Sequence, residues 1–201
     1  MVAIIDYGVG NLFSLVSSFK IIGEKAIVSS DEKEILSADR IILPGVGAFE
    51  DAIKKLKNTG LDKTLLECVK QGKPVLGICL GMQLLFDKSF EYGEFEGLHL
   101  IEGEIRPLKE VVGKELKNPH IGWNALKFTK QSKLIKYIKD GDFVYFVHSF
   151  YGAVCPQVTA VSEYGISVTA SVEKDNVYGC QIHPEKSGQV GLNILKAFCE
   201  I

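Results

Sequence analysis

The chain has 201 residues, 46% hydrophobic and 24% charged, with a formal net charge of −2. That length suits one substantial core, and the composition is that of an ordinary globular protein. Lysines and arginines are scattered rather than gathered into a stripe, which argues against a nucleic-acid partner, and no apolar stretch approaches the roughly 20 residues of a membrane helix.

Met1 leads straight into "VAIID" without a basic leader, so no secretory signal is expected and the chain reads as cytoplasmic. The five cysteines (Cys68, Cys79, Cys155, Cys180 and Cys199) are odd in number and widely spaced. They read as reduced thiols rather than a disulfide frame. "VAIID" is a buried strand, Gly8 and Gly10 make a turn, and Leu12, Leu15, Val16, Phe19 and Ile22 follow at helical spacing. "KAIVS" is a short strand, and Ser29 with Glu32 is expected to form a capping box for "DEKEILS". "RIILPG" is another strand. "FEDAIKKLKNTG" and "LDKTLLECVKQG" are helices closed by Gly60 and Gly72, and "PVLGI" is the next strand. After Cys79, Leu80, Leu84 and Leu85 return to helical spacing.

From about Leu98 the texture changes. "LHLIEGEIRPL", "GWNALKF", "FVYFVHSF", "VTAVSEY", "ISVTASVE" and "VYGCQIH" read as strands, with hairpin turns at Gly165 and "KDN". Helices are expected only near "SKLIKYI" and in the closing "VGLNILKAFCE". The fold class is α/β. We expect one domain over residues 1–201, a three-layer, mostly parallel sheet flanked by helices, with antiparallel strands added in the C-terminal half.

"GICLG" has the form Gly-x-nucleophile-x-Gly, a strand-to-helix elbow with Cys79 where the hydrolase version has serine. The following helix start favours thiolate over thiol. Taken alone, the pattern equally fits a buried core cysteine. "QIHPEKS" adds a second feature. If the segment is extended, as Pro184 favours, His183 and Glu185 point to one side. Glu185 then orients His183, and His183 exchanges a proton with Cys79. In "LPGVGAF" a glycine-rich loop follows a strand on the same sheet edge. Backbone N–H groups around Val46 and Gly47, paired with that of Leu80, are candidates for an oxyanion hole.

These motifs, together with "DYGVGN", "GLHLIEG", "PHIGWN" and "YFVHSFY", all fall in order along the chain. The chain thereby resembles the class I (triad-type) glutamine amidotransferases, most closely those serving as glutaminase subunits of imidazole glycerol phosphate synthase. The resemblance implies their flavodoxin-like amidotransferase fold. It implies that Cys79 forms a thioester with L-glutamine, releasing ammonia and then glutamate. A separate cyclase subunit, in a heterodimer, would use the ammonia to make imidazole glycerol phosphate and AICAR in histidine biosynthesis. It further assigns substrate contacts to Gly45, Gln83, Glu91, Ser149 and Phe150, the last standing where the family carries tyrosine. Partner contacts fall on Asn11, His120, Trp123 and Lys186.

No cofactor or metal is expected. Gly8 and Gly10 begin a dinucleotide-like fingerprint, but its last position is Phe13, too bulky for close packing. His99 is read in an alternating strand, His120 in a loop and His148 in a strand, none with a ligand companion at metal spacing. Two alternatives stay open on the residues alone. One is a related glutaminase subunit feeding a different synthase, such as a sugar amidation. The other is a free-standing cysteine amidohydrolase; an intact Cys79–His183–Glu185 set disfavours a non-catalytic scaffold. A last expectation concerns "PGVG". Because Val46 is β-branched, positive φ is costly there, so the resting loop is expected to aim a carbonyl at the site.

Overall fold

Alternate residues of the first strand feed two different cores. In the computed structural model, which describes residues 1–201, β1 (Val2–Ile5) is buried throughout. Val2 and Ile4 join an apolar cluster with Leu15, Phe19 and Phe198. Ala3 and Ile5 join another with Ile35, Leu56 and Leu65. A strand that buries both faces must lie inside a sheet covered on both sides, which is why its sequence is apolar without alternation.

The chain continues through α1 (Leu12–Ile21), β2 (Ala26–Ser29), α2 (Glu32–Ser37), β3 (Arg40–Leu43), α3 (Phe49–Asn58), α4 (Leu61–Lys70) and β4 (Val75–Ile78). It then forms α5 (Leu80–Leu84), β5 (Phe86–Ser89), β6 (Phe95–Glu96), β7 (Ile101–Pro107), β8 (His120–Ala125) and β9 (Lys127–Phe128). The last elements are β10 (Phe143–His148), β11 (Phe150–Gly152), β12 (Val158–Glu163), β13 (Ser167–Lys174), β14 (Val177–Cys180) and α6 (Gly188–Cys199). The main sheet has the order β2-β1-β3-β4-β14-β13-β12-β9. Its first five strands are parallel and the remainder antiparallel. A four-stranded sheet, β11-β7-β5-β6, and a β10-β8 pair complete the structure. No helix is long and apolar enough to cross a membrane.

Several local expectations are corrected. Asp31, not Ser29, caps α2, accepting from the Glu34 N–H at 3.0 Å. Ser29 instead accepts from the Asp31 N–H and donates to the Glu34 carboxylate, so the return half of the box is relayed through the Ser29 hydroxyl. Leu85 leaves the helix after α5, and the chain turns directly into β5, hydrogen-bonded to β6 and β7. "SKLIKYI" contains only one 3₁₀ turn, Lys133–Ile135. His99 is exposed at positive φ, ahead of β7 rather than within it. "VYGCQIH" is the seam of the main sheet: β14 pairs parallel with β4 and antiparallel with β13. That seam sets Cys180 opposite Ile78, one residue before Cys79.

Candidate active site

The turn out of β4 is tight for steric reasons that the two glycines of "GICLG" make plain. A Cβ on Gly81 would sit 1.9 Å from the Leu43 carbonyl oxygen, and one on Gly77 would sit 2.7 Å from the backbone of Gly81 and Met82. Cys79 between them adopts φ 54° and ψ −112°, a region that costs an L-residue about 1–3 kcal/mol. Its N–H bonds to the Cys180 carbonyl at 2.7 Å, which pins the strained residue to the neighbouring strand. The side chain lines a cavity of about 420 Å³. Since α5 has only five residues, its dipole is small, and the chemistry at the sulfur rests mainly on the side chains around it.

One of these is His183, which follows β14 with φ −103° and ψ 97°, the extended backbone that Pro184 favours. Its Nδ1 lies 2.9 Å from Glu185 Oε1, and both side chains are nearly inaccessible. Burial alone would lower the imidazole pKa. Contacts with Cys79 and Glu185 outweigh it and push the value up to about 10. Such a group holds a proton ready to deliver. The second Glu185 oxygen is buried without a hydrogen-bond partner. The expected trio is therefore brought together in space.

Val46, Gly47, Leu80, Gln83, Glu91, Ser149 and Phe150 line the same cavity, along with Lys186. Gly45 lies behind them against the elbow, where an added Cβ would meet the Gly81 nitrogen at 2.7 Å. The loop is anchored at its start by the buried Tyr7 hydroxyl, which donates to the Pro44 carbonyl at 2.7 Å. Burial and the nearby Cys79 keep the Tyr7 phenol protonated well above its ordinary range. Val46 and Gly47 themselves make no backbone hydrogen bond. Gly47 has φ +98°, whereas Val46 stays outside the positive-φ region.

Glu91 accepts from the Phe49 N–H at 2.7 Å, so one oxygen caps α3. Burial raises its pKa and that N–H partly offsets the rise. Gln83 uses both amide hydrogens inside the protein, toward the Phe150 carbonyl (3.0 Å) and Gln181 Oε1 (2.9 Å). Its Oε1 is what remains for a ligand. The Phe150 carbonyl also accepts from His148 Nδ1 at 2.9 Å, and the Ser149 carbonyl from the Leu108 N–H. The Phe150 carbonyl therefore has both lone pairs engaged, while the Ser149 carbonyl keeps one acceptor site open.

The residues expected at a partner surface divide. Trp123 is half exposed, and it lies in β8 opposite Tyr145. Its ring meets Tyr145 edge-on at 6.0 Å, and Lys186 Nζ lies 6.0 Å over the other aromatic's centroid. Ile121 and Phe143 are also exposed on these strands. Asn11 begins α1 beside Phe13, whose side chain is 83% exposed. His120 is a correction: it is 1% exposed, stacked between Phe146 and Tyr164. Strand alternation turns it inward where Trp123 turns outward. It meets His148 at 3.1 Å, a pairing that 28 residues of separation concealed.

Of the residues near the cavity that were not anticipated, among them Pro119, Val147 and His148 on its wall, two matter most. Tyr92 lines it and packs edge-on to Phe150 at 5.7 Å. Gln181, fully buried, donates to Cys79 Sγ at 3.6 Å. A parity signal for Gln181 was present, because it precedes His183 by two residues and so shares its side of an extended segment.

The chain matches the family described as "Glutamine amidotransferase class-I" over residues 3–200. It is 51% identical over 203 residues to "Imidazole glycerol phosphate synthase subunit HisH" of Caldanaerobacter subterraneus subsp. tengcongensis, covering 100% of this chain and 98% of that protein. A protein of the same description from Wolinella succinogenes is 48% identical over 204 residues, with both chains fully covered. Among solved structures, a "glutamine amidotransferase" superposes with a TM-score of 0.76 at 17% identity, covering 100% of this chain and 98% of the other. The glutaminase domain of Trypanosoma brucei CTPS superposes at 0.66 and 16% identity, covering 99% and 93%. At that identity the two structures speak to the fold alone, and the α/β architecture is shared.

Proposed function

The chain belongs to the class I glutamine amidotransferases, and on that premise we propose that it is the glutaminase subunit of an imidazole glycerol phosphate synthase in histidine biosynthesis. Residues 1–201 act as a single amidotransferase domain. It hydrolyses glutamine to glutamate and ammonia and passes the ammonia to a cyclase subunit, its partner in a heterodimer. The thiolate of Cys79 attacks the side-chain carboxamide carbon of glutamine. The negative charge that develops on the carboxamide oxygen is met by the Leu80 N–H and by an N–H of the Val46–Gly47 loop. His183 gives its proton to the departing nitrogen, ammonia leaves, and a thioester to glutamate remains. Neutral His183 then takes a proton from water, which attacks the thioester and regenerates the thiolate and imidazolium. Glu185 orients the imidazole throughout and favours its charged form.

Gln83, Glu91, Ser149 and Phe150 form the wall that holds glutamine, backed by Gly45, with Glu91 facing the substrate ammonium. The cyclase docks against Asn11, Trp123 and Lys186 and the exposed apolar residues Phe13, Ile121 and Phe143 around them. The main support is the placement of Cys79, on a strained elbow, in one cavity with His183, which is paired behind it to the buried Glu185. Cys79→Ala tests it. The variant is expected to lose glutamine hydrolysis, to keep the complex, and to let the partner work on added ammonium salts. Substantial glutaminase activity in the purified variant would overturn the assignment.

A further inference from the structure

Gln181 is 0% exposed, and neither hydrolysis nor partner docking has yet given it a task. Strand β14 ends at Cys180, whose carbonyl accepts the Cys79 N–H, so the next residue is delivered beside the nucleophile. There the Gln181 carboxamide has two polar neighbours. Its Nε2 donates to Cys79 Sγ at 3.6 Å, and its Oε1 accepts from Gln83 Nε2 at 2.9 Å. Gln83 is committed in turn, because its second amide hydrogen goes to the Phe150 carbonyl at 3.0 Å.

This chain of donors leaves Gln181 one orientation. Flipping its amide would set its NH₂ against the NH₂ of Gln83, two donors facing each other. The same flip would turn an oxygen toward the sulfur, placing an acceptor against a thiolate. We propose that Gln181 is a further catalytic residue: its carboxamide, locked by Gln83, donates to Cys79 Sγ and holds the sulfur as a thiolate aimed into the cavity. The bond strengthens only when sulfur carries charge, since hydrogen bonds to an ionised acceptor are roughly twice as strong as neutral ones. It thus complements His183, which can leave the sulfur to protonate ammonia while Gln181 remains. Gln83, which belongs to the substrate wall, becomes a positioning residue for the nucleophile as well.

The proposal rests on Cys79 being the nucleophile, and its test does not use turnover as the sole readout. Iodoacetamide alkylation of Cys79 is followed by peptide mass spectrometry from pH 5 to 10, which separates it from the four other thiols. The charged or titratable groups around the sulfur are His183 with Glu185 behind it, Tyr7 and Cys180. Glu91 and Lys186 lie on the cavity wall. All remain in Gln181→Met, so a change in the curve reports the amide alone. Its midpoint is expected to move about one pH unit higher, with a roughly tenfold loss of kcat/KM at neutral pH that shrinks as pH rises. Gln83→Met, which frees the Gln181 amide to turn, is expected to move the midpoint in the same direction. It supplies the answer if Gln181→Met does not fold. Alkylation curves that coincide with the parent in a folded variant, or a rate loss independent of pH, would overturn the role of Gln181. Neither outcome touches the assignment of Cys79, which stands or falls with Cys79→Ala.

Discussion

At the scale of single residues, the site separates the group that moves a proton from the group that aims it. His183 is held charged by Cys79 and Glu185 despite its burial, so its removal takes away both the acid for ammonia and the base for water. Glu185 contacts it through one oxygen only. A glutamine at that position keeps an acceptor for the imidazole N–H and loses the negative charge. His183→Ala is accordingly expected to lower kcat by at least the 10²–10⁴-fold typical of a general acid–base. Glu185→Gln is expected to cost about tenfold less. Equal losses, or a larger one for Glu185→Gln, in steady-state glutaminase assays of the complex would mean that the two roles are misassigned.

At the scale of elements, the loop between β3 and α3 is held at both ends and free in the middle. Tyr7 fixes the Pro44 carbonyl, and Glu91 fixes the Phe49 N–H. Between them the Gly45–Val46 peptide, whose rotation sets Val46 φ and the aim of the Val46 N–H, has no backbone hydrogen bond to lose if it turns. Val46 resists the turn, since a β-branched residue pays heavily for positive φ. A resting loop that withholds its N–H from the oxyanion, and a partner that shifts the population toward the turned form, follow from this asymmetry. Val46→Gly is expected to raise the basal glutaminase rate of the isolated chain, by up to the 10²–10³-fold that one oxyanion donor contributes. A variant that binds glutamine yet stays as slow as the parent would place the restraint elsewhere.

At the scale of the whole molecule, two buried histidines pull stability in opposite directions with pH. Burial pushes the His148 pKa down to about 3, with its bond to the Phe150 carbonyl opposing and the His120 and His183 charges adding to the fall. Below about pH 6.5 the unfolded chain takes up a proton that the folded His148 refuses, so stability falls as pH drops toward 3. His183, raised to about 10, does the reverse. Its contribution is complete below about pH 6.5 and disappears as pH climbs through 10. Glu91, raised by burial, adds stability toward low pH and blunts the acid limb without cancelling the larger His148 shift. Maximal stability is therefore expected near neutrality. Denaturant unfolding should show His148→Gln losing less than the parent between pH 6.5 and 4, by up to about 1.4 kcal/mol per pH unit. Parallel acid limbs would mean that His148 titrates normally in the fold.

What the amino-acid order determined by itself is local. Apolar runs without alternation announced strands buried on both faces, and those around Val2–Ile5 and Val75–Ile78 are. The glycines flanking Cys79 announced a close backbone approach, and Gly81 sits where a Cβ would strike Leu43. Pro184 announced an extended His183. Each signal acts through neighbours in sequence, where steric rules are strict. What only the tertiary structure decided are contacts between segments whose pairing no local rule specifies. It turned His120 inward onto His148 and made β14 a parallel seam. That seam joins residues 102 positions apart, setting the Gln181 amide on the Cys79 sulfur. Strand order in a sheet depends on how whole faces are covered, and hydrogen-bond partners follow from that order.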